Sequence, residues 1–88
     1  MTFQHELGRI FVADPSGTIL AEVTFPVSGS VATINHTFVD SSLRGQGVAD
    51  KLLSSAVDQI RSHGLQAQAT CSYAIKWFQE HPEHSDLL

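Results

Sequence analysis

The chain has 88 residues, 42% hydrophobic and 8% aromatic, and its five Lys and Arg against nine Asp and Glu leave a net charge of −4. That length suits one domain over residues 1–88 and excludes two separate cores, while the apolar content excludes a disordered tail. The acidic balance excludes general nucleic-acid binding, which draws most of its affinity from neutralised phosphates.

The opening stretch "MTFQHELGRIFVAD" has no apolar run of signal or membrane length and carries Glu6 and Arg9 in its middle, so a cytoplasmic protein without a membrane partner is the expectation. From Glu6 to Ala13 the chain is rich in Leu, Ile, Phe and Val and predicts a strand. Asp14-Pro15-Ser16-Gly17 has turn chemistry, and "TILAEVTF" returns as the second arm of a hairpin, ended by Pro26. "VSGS" supplies the next turn. Val31–Val39 then predicts a third strand, continuous and β-branched, with Ala32, Ile34, His36 and Phe38 on one face.

Val48, Leu52, Leu53, Ala56, Val57 and Ile60 recur at three- and four-residue spacing and predict an amphipathic helix, which Gly64 ends as a left-handed cap. "LQAQATC" predicts a short strand that the intervening helix forces to run parallel to the third, in a right-handed crossover. Ser72 is placed to cap a second helix to about Glu80, with Ala74, Ile75, Trp77 and Phe78 in the core and Pro82 as its stop. The fold class is α+β, a mixed sheet in the order β-β-β-α-β-α with antiparallel hairpins and one parallel βαβ crossover.

Between the third strand and the first helix lies "DSSLRGQGVADK". Glycines feeding a helix N-terminus make an anion site, because the first-turn N–H groups lack intrahelical partners and the helix dipole adds positive potential. The loop has neither the Gly-Lys-Ser/Thr ending of a P-loop nor Gly-x-Gly-x-x-Gly. Its pattern, Arg44-x-x-Gly47-x-Ala49, resembles the pyrophosphate loop of the GNAT superfamily of N-acetyltransferases. "INHTFVDSSLRGQGVADKLLSSAV" and "TCSYAIKWFQEHPEH" are similar to a branch of small, stand-alone members.

The resemblance implies a minimal GNAT-like fold that binds acetyl-CoA and transfers acetyl to an amine on a peptide, a protein lysine or a small molecule. It places the pyrophosphate on Arg44, Gly45, Gln46, Gly47, Val48 and Ala49, with the pantetheine beside the strand ending at Phe38 and Val39. Asp40-Ser41-Ser42 replaces the family's usual proline. Cys71, Ala74 and Phe78 stand where the superfamily often has Asn, Ala and Tyr, and phenylalanine cannot donate a proton to a departing thiolate. At 88 residues the sequence is expected to be too short for the extra N-terminal helices and C-terminal strands that usually shape the acceptor pocket, which suits an open site or one completed by a partner.

His36 is the candidate base, since imidazole titrates near neutral pH. Adjacent parallel strands would bring it to Cys71, leaving two routes open: direct attack by the amine, or an acetyl group carried on Cys71. Each also has a packing role as an alternative. Tyr73 offers a hydroxyl near the same strand end. Lys51 could reach a CoA phosphate. His5, His63, His81 and His84 are expected in solvent, and no spacing suggests a metal site. The single cysteine excludes an internal disulfide. A CoA-binding or acyl-CoA-sensing module with little turnover is the alternative to an enzyme, and a loop used only for packing is the third reading. Exposed edges allow a monomer or a weak homodimer.

Overall fold

Alternating apolar and polar residues build a four-stranded antiparallel sheet from most of the N-terminal half in the computed structural model, which describes residues 2–88. Its strands are β1 (Gln4–Glu6), β2 (Arg9–Ala13), β3 (Ile19–Thr24) and β6 (His36–Val39), in that spatial order. A second sheet has the order β4 (Val27–Ser28), β5 (Val31–Ile34) and β7 (Gln66–Ala69). Ile10, Val12, Ala21 and Val23 line one face of the first sheet and are buried against helix α1 (Val48–Ser62). There Leu52, Leu53, Ala56, Val57 and Ile60 are fully buried. Each large aliphatic side chain so buried contributes about 1.5–3 kcal/mol.

The expected hairpin over Asp14–Gly17 forms, held by the Asp14 carboxylate accepting from the N–H groups of Ser16 and Thr18, both at 2.9 Å. Three strand expectations need correction. The run from Glu6 to Ala13 is two strands, because Leu7-Gly8 turns the chain between β1 and β2. Gln59 of α1 clamps that turn, accepting from the Gly8 N–H at 2.9 Å and donating to the Glu6 carbonyl at 3.1 Å. In "VSGS", Val27 and Ser28 pair with β5 as a strand.

The third correction shapes the site. Val31–Val39 is not one strand: it breaks at Asn35, and its halves belong to different sheets. Asn35 is tied to the end of β3 by its N–H donating to the Thr24 carbonyl (3.2 Å) and by the Thr24 hydroxyl donating to its side chain (2.6 Å). The break also shifts the alternation by one residue. Ala32 and Ile34 are buried, but beyond Asn35 the inward positions are Thr37 and Val39, while His36 and Phe38 are exposed.

Helix α1 ends as expected. Leu65 N–H donates to the Ile60 carbonyl (3.0 Å) and Gly64 N–H to that of Arg61 (3.1 Å), a Schellman motif with Gly64 at φ +66°. The chain then returns as β7, parallel to β5 with Ala32 opposite Ala67. Helix α2 (Ser72–Glu80) is capped by Cys71 rather than Ser72: its sulfur accepts from the Ala74 N–H at 3.3 Å. Ala74, Trp77 and Phe78 are buried, but Ile75 is exposed on the outer side of the helix. After Pro82 a 3-10 segment folds back, anchored by buried Leu87 and by Asp86 pairing with Arg61 through both oxygens, at 2.8 and 3.1 Å. Among the described residues no helix is long and apolar enough to cross a membrane.

Candidate functional site

The split of the two sheets leaves β6 on the edge of the first sheet and the end of β7 on the other side of the gap, with the glycine loop leading from β6 into α1. A 3-10 turn (Ser41–Leu43) comes first, capped by Asp40, whose carboxylate accepts from the Ser42 hydroxyl (2.6 Å) and N–H (3.0 Å). Those bonds, with help from the nearby Arg44 charge, hold the Asp40 carboxyl below the usual carboxylate range. Gly45 and Gly47 then take the left-handed region, φ +82° and +70°.

The first bond of α1 runs from Lys51 N–H to the Gly47 carbonyl at 3.1 Å. Among the described residues, no amide from Gly45 to Asp50 donates to another protein group. They border an open cleft of about 230 Å³ lined by Val39, Leu43, Arg44, Gly45, Gly47, Val48, Ala49, Asp50 and Tyr73. A Cβ on Gly47 would meet nothing within 4 Å, so the space beside it is free for a ligand. Free amides, a helix N-terminus and one guanidinium are the donor set a pyrophosphate requires. The residues present fit that group.

Of the expected loop residues, Val39, Arg44, Gly45, Gly47, Val48 and Ala49 line the cleft; Gln46 is exposed at the tip between the two glycines and lies outside the lining. Phe38 projects from the opposite face of β6, 40% exposed and in register with Glu22. Lys51 borders a separate hollow with Thr2, Phe3 and His5.

His36 and Cys71 are not brought together as expected. His36 sits opposite Thr24 on the antiparallel neighbour β3, and its Nε2 lies 3.6 Å from the Glu22 carboxylate, which also accepts from Arg9 Nε at 2.6 Å. The Cys71 sulfur lies 3.6 Å from the hydroxyl of Thr37, on the other face of β6 from His36. The physical reason is the register shift at Asn35: it turns His36 to the open face of the first sheet and leaves Thr37 facing the gap.

Tyr73 gains importance from the structure. It stands in the first turn of α2, lines the glycine-loop cleft and is 40% exposed. Partial burial raises the pKa of its hydroxyl, and the charges of Asp50 and Glu80 raise it further, so the group remains a protonated donor at neutral pH. The first turns of the two helices face one cleft, a relation visible only once β5 and β7 pair in parallel.

Two of the histidines expected in solvent form a stack. The ring of buried Trp77 lies 4.0 Å from that of His81 and 5.5 Å from that of His84, both nearly parallel to it. Trp77 Nε1 donates to the Asp50 carboxylate at 2.8 Å, and His81 Nε2 approaches the same oxygen at 3.4 Å. His63 bonds the Gln59 carbonyl through Nδ1 at 2.9 Å, near the end of α1.

Comparison with known proteins bears on this arrangement. The sequence profile described as GCN5-related N-acetyl-transferase matches residues 9–87. The human and mouse proteins named NATD1 are each 34% identical over 56 residues, 64% of this chain, and the match covers only 50% and 51% of them, so the chain spans about half the length of these curated relatives. A GCN5-like protein from Staphylococcus aureus, solved by NMR, superposes with a TM-score of 0.80 at 30% identity, over 98% of this chain and 85% of that one. N-acetylglutamate synthase from Neisseria gonorrhoeae, solved with coenzyme A and N-acetylglutamate, shares the fold with a TM-score of 0.66 at 17% identity, over 84% of this chain and 18% of its own.

Proposed function

Because the chain belongs to the GCN5-related N-acetyltransferase family, we propose that it binds acetyl-CoA at the glycine loop and transfers the acetyl group to an amine. The observation that carries this reading is the run of unpartnered amides from Gly45 to Asp50, opening on a cleft with Arg44 and Tyr73. When bound, acetyl-CoA supplies an acetyl thioester that a neutral amine can attack, the proton lost from the amine nitrogen ending on the released CoA thiol.

The chain's own groups divide the work. Loop amides and Arg44 hold the pyrophosphate. The free edge of β6 offers backbone N–H and C=O groups to an extended pantetheine, because β3 satisfies only its other side. Tyr73 is the hydroxyl available to protonate a departing thiolate, in place of the tyrosine that Phe78 replaces. His36, on the open sheet face beside Glu22, takes the proton of an amine that approaches from that face. That face is uncovered, which favours an amine on a peptide or protein over a small molecule held in an enclosed pocket.

A second route is favoured by one observation: the Cys71 sulfur, at the N-terminal end of α2, lies 3.6 Å from the Thr37 hydroxyl of β6 and so faces the gap beside that strand. On this route the acetyl group passes to Cys71 and then to the amine. Thiol release from acetyl-CoA, measured with lysine peptides and small amines beside intact-protein mass, tests both. Thiol release that depends on the amine supports transfer; a hydroxylamine-sensitive acetyl adduct on Cys71 selects the second route. CoA binding without thiol release would make the chain a CoA-binding or sensing module.

A further inference from the structure

Asp50 poses an electrostatic problem that the structure resolves. Its carboxylate belongs to the first turn of α1 and borders the cleft in which the amides from Gly45 to Asp50 are free. An acid there competes with any anion for the same helix terminus. The carboxylate is nevertheless held from the other helix. Trp77, 2% exposed, donates its indole N–H to Asp50 Oδ1 at 2.8 Å. His81 stacks on the indole, fixes its own Nδ1 on the Trp77 carbonyl at 2.7 Å and brings Nε2 to 3.4 Å from the same Asp50 oxygen.

We infer that Trp77 is a positioning residue for anion binding: its indole N–H draws the Asp50 carboxylate toward α2 and lessens, without removing, its opposition to a pyrophosphate at the glycine loop. The inference rests on the acetyl-CoA reading of that cleft and adds a determinant of CoA affinity that lies outside the loop motif. It links α2 to the cofactor loop through one hydrogen bond. It also explains why a buried tryptophan, which packing alone could replace with phenylalanine, uses its single polar atom on this acid.

A double-mutant cycle on CoA affinity tests it, by calorimetric titration of CoA into the unmodified chain, Asp50→Asn, Trp77→Phe and the double variant, with circular dichroism to verify folding. Asp50 is 55% exposed at its side chain, so water screens it and the expected changes are about two- to fivefold. Asp50→Asn should tighten CoA binding by that factor. Trp77→Phe should weaken it, and the double variant should bind like Asp50→Asn alone, because without the carboxylate the indole has nothing to restrain. Raised salt should shrink both effects.

Weakening by Trp77→Phe that persists in the Asp50→Asn background would reveal a packing effect and overturn the inference. Unchanged affinity in Asp50→Asn would overturn it as well, and that result can be read even if Trp77→Phe fails to fold, because the variant keeps Trp77. If the unmodified chain does not bind CoA, the reading of the cleft fails and takes this inference with it, a result distinct from binding that ignores Asp50.

Discussion

Replacing Gly47 with alanine separates the geometric role of the loop from its ligand-binding role, provided Gly64→Ala is measured beside it. Both glycines flank α1 in the left-handed region, φ +70° and +66°, and at neither would a Cβ meet an atom within 4 Å. The cost to stability is therefore the dihedral cost alone, about 1–2 kcal/mol for an L-residue held there. For a domain of this size that lowers the melting temperature by about 4–8 °C per kcal/mol. Thermal unfolding followed by circular dichroism should show similar losses for the two variants. Titration with CoA should separate them. A Cβ at position 47 enters the space beside the free amides, and disturbing one charge-assisted hydrogen bond of about 1.5–3 kcal/mol weakens binding roughly 10- to 100-fold, while Gly64→Ala leaves affinity unchanged. Equal CoA affinity in the two variants would refute the reasoning and reduce Gly47 to backbone geometry.

Three further outcomes follow from the side chains around the cleft and on the surface. Tyr73→Phe should leave CoA affinity within about twofold but slow acetyl transfer by about 10²-fold, the usual scale for losing a general acid; an unchanged rate in a thiol-release assay would remove Tyr73 from the mechanism. Cys71→Ala should lose at most about 0.5–2 kcal/mol of stability with the α2 cap, and Cys71→Ser should restore the cap because its hydroxyl is a better acceptor from Ala74 N–H than the sulfur. Transfer by both Cys71 variants supports direct attack, whereas loss in both, with folding and CoA binding intact, supports the thioester route. The carboxyls of Asp14, Asp40 and Asp86 lie below their ordinary range, through hydrogen bonds from Ser16, Ser42 and Arg61 respectively. A folded-state pKa below the unfolded value near about 4 means that this stabilisation is present above that pH and is lost as pH falls through the folded values. Urea midpoints should accordingly fall below about pH 4, with a shallower slope in the Asp14→Asn, Asp40→Asn double variant; an identical slope would exclude Asp14 and Asp40 as the source.

The helices were legible because their signals are local. Apolar spacing and Gly64 define α1, and the two runs around Asp14–Gly17 define the hairpin. The break at Asn35 was not legible, since β-branched residues continue on both sides and the choice between one strand and two depends on which sheet each half joins. Asn35 itself, a poor strand former in mid-run, was the available hint. That one residue decides which way His36 points, so the expected meeting of His36 and Cys71 failed with it. The loop residues were legible as a motif because they act through consecutive backbone amides. Tyr73, Asp50 and Trp77 converge from two helices far apart in sequence, and no spacing rule reports such a meeting. The cap of α2 fell on Cys71 rather than Ser72 because a cysteine sulfur can also accept from the first-turn amide.

Amide NMR titration of the chain with CoA tests the central claim most directly. The account predicts saturable shifts concentrated on Gly45 to Asp50, with the amides of Val39 and Tyr73 responding at the cleft wall and Ile75 and Leu88, in the apolar hollow beside α2, unaffected. Absence of binding, or shifts centred on that hollow while the loop amides stay still, would contradict it.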